Sequence, residues 1–155
     1  MHGLVAQQMQ DFTGQPLQAL AGRGAQAYIQ TQVSSRSPLE LVVLLYEGVI
    51  RFTGEARSAI ERRDLIAKRT AMSRALAVLS ELQSTLNMSE GGELAASLDN
   101  LYTYINGRLL DGSMQNNVEP LDETLKLAAT LRDAWSEIAS REIVEGSSAG
   151  PAARP

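Results

Sequence analysis

A chain of 155 residues is long enough for one domain with a core of its own. Apolar residues make up 44% of it and aromatics only 5%, so the core must rest on Leu, Ala, Val and Ile, which favours helix packing over a β-sandwich. The absence of cysteine excludes a disulfide framework and a thiolate zinc site, and a net charge of −4 argues against nucleic acid, whose phosphates need a basic face.

Residues 1–36 read as a flexible N-terminal arm, interrupted by Gly3, Gly14, Pro16, Gly22 and Gly24 and rich in Gln. Met1–Gln10 has no basic lead and no long apolar run, which speaks against a secretory signal. Within the arm, Tyr28, Ile29 and Val33 are isolated anchors in the polar stretch Ala25–Val33. Such spacing suits reversible docking over a groove; the other reading is a permanently packed extension.

The first helix is expected from Ser37 to about Arg62. Ser37-Pro38-Leu39-Glu40 is a capping box with Pro at the first helical position, where its missing N–H is harmless. Leu39, Val42, Val43, Tyr46, Val49, Ile50 and Ala56 give a wide apolar stripe. Leu41, Leu44, Leu45 and Phe52 widen it beyond what one buried face needs, and these four are the candidate lining of a binding groove. The run Leu41–Tyr46 is far too short to span a bilayer, so no membrane insertion is expected. Gly48 in mid-helix points to close approach of another backbone, from the third helix or from a guest.

The second helix starts after Asp64, a good N-cap, and carries Leu65, Met72, Leu79 and Leu86 at sevenfold spacing. The third runs from about Glu93 to Leu110 on Leu94, Leu98, Leu101, Ile105 and Leu109, and Asp111-Gly112-Ser113 weakens or ends it. The fourth begins near Glu119-Pro120 and uses Leu121, Leu125, Ala128, Trp135 and Ile138. Short connections make consecutive helices antiparallel neighbours. The expected fold is therefore all-α: an antiparallel up-down four-helix bundle over residues 37–144, with the flexible arm before it and a disordered tail over 145–155, where Gly, Ser, Pro and Ala show no periodicity.

Catalytic chemistry is hard to find. The sole histidine is His2, in the arm, so a Glu-x-x-His pair of the bundle di-iron type is excluded. Gly91-Gly92 lacks the Gly-Lys-Ser/Thr ending of a phosphate loop and reads as a turn. Glu142 and Glu145 read as a solvated helix end. No enzyme activity, cofactor or metal is expected. Arg62-Arg63 with Lys68 and Arg69 read as a charged corner, or alternatively as a salt-sensitive contact for an acidic partner. Tyr46, Tyr102 and Trp135 are assigned to the core rather than to contact.

Five pieces, in order, resemble the flagellin export chaperone family called FliS over roughly residues 27–136. They are Ala27-Tyr28 followed by Val33 and Ser37-Pro38; Leu45-Tyr46-Glu47-Gly48; Gly91-Gly92-Glu93-Leu94-Ala95; Leu101-Tyr102-Thr103-Tyr104-Ile105; and Arg132-Asp133-Ala134-Trp135. The arm before Ala25 is longer than is usual there, and Asp111-Gly112-Ser113 stands where the family more often has an Ala-Asn pair. The resemblance implies a cytoplasmic bundle without catalytic activity that binds the C-terminal segment of flagellin, prevents premature polymerisation and delivers it to the flagellar type III export gate. It also implies that the stretch around Tyr28 faces that gate. The alternative is a structural or signalling bundle that dimerises through its apolar face. The sequence leaves open whether the free protein is a monomer.

Overall fold

The structure, a computed structural model, describes residues 37–152, with side chains described to Ile143. Tyr28, Ile29 and Val33 lie outside the described residues. Four helices follow in order: α1 (Pro38–Glu61), α2 (Leu65–Ser84), α3 (Gly92–Gln115) and α4 (Glu119–Ala152).

The starts of α1 and α2 obey their capping residues. Ser37 Oγ accepts from the Glu40 N–H at 3.2 Å, and Glu40 Oε1 accepts from the Ser37 N–H at 3.4 Å. Asp64 Oδ1 accepts from the Ala67 N–H at 3.0 Å. The α1–α2 turn places Arg63 in the left-handed region at φ 59°. At the start of α3 the corresponding residue is Gly92, at φ 60°, where the absence of a Cβ removes the strain.

The end of α3 differs from expectation. The helix passes through Gly112 and continues to Gln115. It closes on Asn116 in the left-handed region, with the Asn117 N–H donating to Gly112 O at 2.9 Å and the Asn116 N–H to Ser113 O at 3.4 Å. This is the paired pattern that satisfies the last carbonyls of a helix. Gly112 is needed for a reason that lies in the next helix: a Cβ there would collide with Leu121 Cδ1 and stand 2.9 Å from Asn117 O. The glycine is thus a contact point between α3 and α4 rather than a helix stop. The backbone of α4 also differs, remaining helical to Ala152 across much of the stretch expected as a tail. Adding residues to an established helix avoids the cost of a new nucleus.

α1 packs mainly against α2 and α4, and α3 closes the bundle against α2 and α4. This is the neighbour pattern of an antiparallel four-helix bundle. The core joins Leu45, Tyr46 and Val49 of α1, Met72, Leu79 and Leu82 of α2, Leu98, Tyr102, Ile105 and Leu109 of α3, and Leu121 and Ala128 of α4. Gly48 faces α2, where an added Cβ would touch the Val78 methyls at 3.5 and 3.6 Å. That is ordinary side-chain contact, not the close backbone approach expected from the sequence.

Candidate binding surface

The motif tyrosines meet across the bundle. Tyr46 of α1 and Tyr102 of α3 are buried with ring centroids 6.3 Å apart and their hydroxyls hydrogen-bonded to each other. Half-buried Trp135 of α4 donates its indole N–H to the Tyr46 oxygen. Burial pushes both phenols above their ordinary range, Tyr46 against those two hydrogen bonds. At neutral pH the pair is therefore uncharged and serves as a polar tie within an apolar core.

The candidate groove residues lie deeper than the sequence reading expects. Leu41 is 6% exposed, Leu44 8%, Leu45 3% and Phe52 7%, all within the core cluster. Of the four, Leu44 also borders a surface recess of about 210 Å³, formed by one end of α1 with Ser136, Ala139 and Ile143 of α4. The Phe52 ring lies beneath Arg51 and Arg74, whose guanidinium carbons are 5.7 and 5.9 Å from its centroid.

Open apolar surface is found elsewhere. Leu65 and Ile66 begin α2 and are exposed, Ile66 at 78%. Leu110 and Met114, one turn apart near the end of α3, are exposed too, Met114 at 81%. Lys68 brings these two helix ends together: its Nζ donates to Ser113 O at 2.8 Å and to Asn116 Oδ1 at 2.7 Å. The lysine is buried, so the basic corner read from the sequence is in part a clasp. A cation is well placed there, against the negative end of the α3 dipole. Sequence reading missed this apolar end. The available signal was the Leu109-Leu110 pair, of which one residue faces inward, with Met114 four positions further on the outward side.

The α3–α4 seam is polar at its rim. Glu123 accepts from Arg108 Nε and from the Tyr104 hydroxyl, each at 2.8 Å. Arg108 first and Tyr104 second hold the Glu123 carboxyl below its ordinary range. Arg57 of α1 pairs with Asp122 of α4 and, at 2.7 Å, with Glu61. On α2, Glu81 is buried with Oε2 unpartnered, and desolvation raises its pKa. Among the described residues no three His, Asp, Glu or Cys side chains are grouped to hold a metal, and no helix is long and apolar enough to cross a membrane. What this surface offers is apolar contact framed by charge.

Comparison with known proteins agrees with the motifs that meet in the core. The model of the family described as flagellar protein FliS matches residues 21–142. The flagellar secretion chaperone FliS of Campylobacter jejuni is 35% identical over 118 residues, covering 76% of this chain and 92% of its own length. That of Bacillus subtilis is 34% identical over 116 residues, covering 75% and 86%, and that of Salmonella typhimurium 31% over 118 residues, covering 76% and 87%. With the family match extending over most of the sequence and a bundle whose motif residues Tyr46, Tyr102 and Trp135 converge, the chain belongs to the FliS family of flagellar secretion chaperones.

Proposed function

We propose that this protein is a cytoplasmic chaperone that binds the C-terminal segment of flagellin, keeps it from polymerising early and delivers it to the flagellar type III export gate. Family membership supports the chaperone role. The observation behind the binding mode is the exposure of Leu65, Ile66, Leu110 and Met114 on two helix ends that Lys68 holds together. A disordered segment that becomes amphipathic on folding can lay its apolar stripe on such a surface in the helix-in-groove manner. Full burial of a large apolar side chain is worth about 1.5–3 kcal/mol, and ordering the guest costs roughly 2–5 kcal/mol. Several side chains must therefore be covered together, which makes the capture firm yet reversible.

In this reading Leu44, which borders the recess between α1 and α4, is a second point of guest contact, and Leu41, Leu45 and Phe52 belong to the core beneath rather than to the contact. Tyr28, Ile29 and Val33 act as the movable cover of that recess or as a contact for the export gate. Tyr28→Ala with Ile29→Ala tests that part: unchanged flagellin binding and export would remove it.

The primary test is a calorimetric titration of the full chain with the C-terminal segment of the flagellin from the same organism, with sizing before and after. A saturable one-to-one complex is expected. A dimer indifferent to the segment would overturn the reading and favour a structural bundle that self-associates through its apolar face.

A further inference from the structure

A second groove lies between the C-terminal half of α1 and the N-terminal half of α2, enclosing about 630 Å³. Its walls carry Arg51, Arg62 and Arg74 against one acid, Glu55, and its floor includes Gly54, Ala67 and Ala71. The whole chain has a net charge of −4, so the groove is opposite in sign to the chain as a whole. Arg51 pairs with Glu55 at 3.4 Å, and Arg62 Nε is 3.8 Å from Asp64 Oδ2. Arg74 has no carboxylate partner among the described residues and is held over the Phe52 ring instead. The floor is also distinctive. Nothing lies within 4 Å of where a Gly54 Cβ would sit, so no contact of the described chain explains a helix-weakening glycine at this point. A glycine facing open space allows another backbone to come close.

We propose that this groove docks an acidic helical segment of a second protein partner, its backbone against Gly54, Ala67 and Ala71 and its carboxylates on Arg62, Arg74 and Arg51. Guanidinium groups suit this role because their planar fork matches a carboxylate with two parallel hydrogen bonds. The groove shares no lining residue with the apolar end assigned to flagellin, which it adjoins at Leu65 and Ile66. It takes up the charged corner that the sequence marks at the α1–α2 turn.

The test uses the full chain and a fluorescein-labelled 18-residue helical peptide with Glu along one face and Ala along the other, followed by fluorescence anisotropy. Saturable binding is expected, weakening as salt screens the contact. Joint Arg62→Gln and Arg74→Gln replacement should weaken it about tenfold, because desolvated charge pairs across an interface are lost. Gly54→Leu keeps every charge but fills the floor, and should weaken binding to a similar extent with the thermal melt unchanged or raised. The proposal is overturned if the acidic peptide does not bind, or if a Gln-for-Glu version binds equally well. It is also overturned if the variants bind like the parent, or if a 20-nucleotide oligothymidine binds as tightly as the peptide. Titration of the same variants with the flagellin segment should be unchanged. Parallel loss there would make the groove part of the flagellin site and overturn a second partner, while failure of the peptide alone leaves the flagellin reading intact.

Discussion

Lys68→Met cuts the clasp between the start of α2 and the end of α3 while keeping most of the apolar stem. The wild-type ammonium makes two hydrogen bonds of 2.8 and 2.7 Å, to a helix-terminal carbonyl and to the side chain of the residue that closes the helix. Charge-assisted bonds of this kind are worth about 1.5–3 kcal/mol each, and a cation at a helix C-terminus adds roughly 0.3–1 kcal/mol. Against this stands the cost of keeping an ammonium buried, several kcal/mol, which Met does not incur. Water reaching the freed oxygens at the bundle end recovers part of the rest, so the net loss is about 2 kcal/mol. For a chain of this size that corresponds to a fall in melting temperature of roughly 4–8 °C. Urea unfolding followed by circular dichroism and by Trp135 fluorescence measures it, with exposed Lys126→Met as control, expected within about 0.5 kcal/mol of wild type. Hydrogen exchange should show the loss concentrated in the last two turns of α3. Equal stability of Lys68→Met and wild type would refute the clasp as a stabilising device.

Three further outcomes follow from the core. Glu81→Leu removes a buried, unpartnered carboxylate and should stabilise the bundle at pH 7 by about 1 kcal/mol, measured by urea unfolding. Because burial raises the folded pKa, the wild-type carboxyl is unpenalised below its unfolded value near 4.3 and progressively penalised as pH rises through the folded value. The gain from Glu81→Leu should therefore shrink between pH 7 and pH 4, and a constant gain would contradict the reasoning. Tyr102→Phe should cost about 1 kcal/mol, and Tyr46→Phe more, since it strands both the Tyr102 hydroxyl and the Trp135 N–H. A double-mutant cycle should show clear coupling between the two tyrosines. Gly48→Ala should raise stability by about 0.8–1 kcal/mol through helix propensity, because its new methyl meets Val78 at ordinary contact distance. A destabilised variant would mean that Val78 cannot accommodate it.

The parts of this fold legible in the sequence are those fixed by local chemistry. Ser37, Pro38, Glu40 and Asp64 announce two helix starts because a capping side chain bonds to backbone within three residues of itself. Met72, Leu79, Leu98, Ile105 and Leu109 mark seams because each helix must bury one stripe. Leu65 and Leu94 continue the same spacing yet are exposed, since periodicity does not say where a neighbouring helix stops. Gly112 reads as a break when its cause is Leu121, a contact invisible to a local pattern. Lys68 reads as surface charge because its partners, Ser113 and Asn116, are 45 and 48 residues away. Leu41, Leu44, Leu45 and Phe52 look surplus when α1 is given one buried face, but α1 lies along two extensive neighbours, α2 and α4.

The most direct measurement is residue-resolved oxidation of methionines by dilute peroxide, read by mass spectrometry, on the free chain and on the chain saturated with the flagellin C-terminal segment. Met114 stands open at the apolar end, and Met72 is buried in the core and serves as the internal reference. If the guest lies where the exposed leucines and methionine place it, Met114 oxidises readily alone and is protected in the complex, while Met72 stays slow in both. Unchanged Met114 oxidation in a saturated complex would contradict the assignment of that surface to the guest.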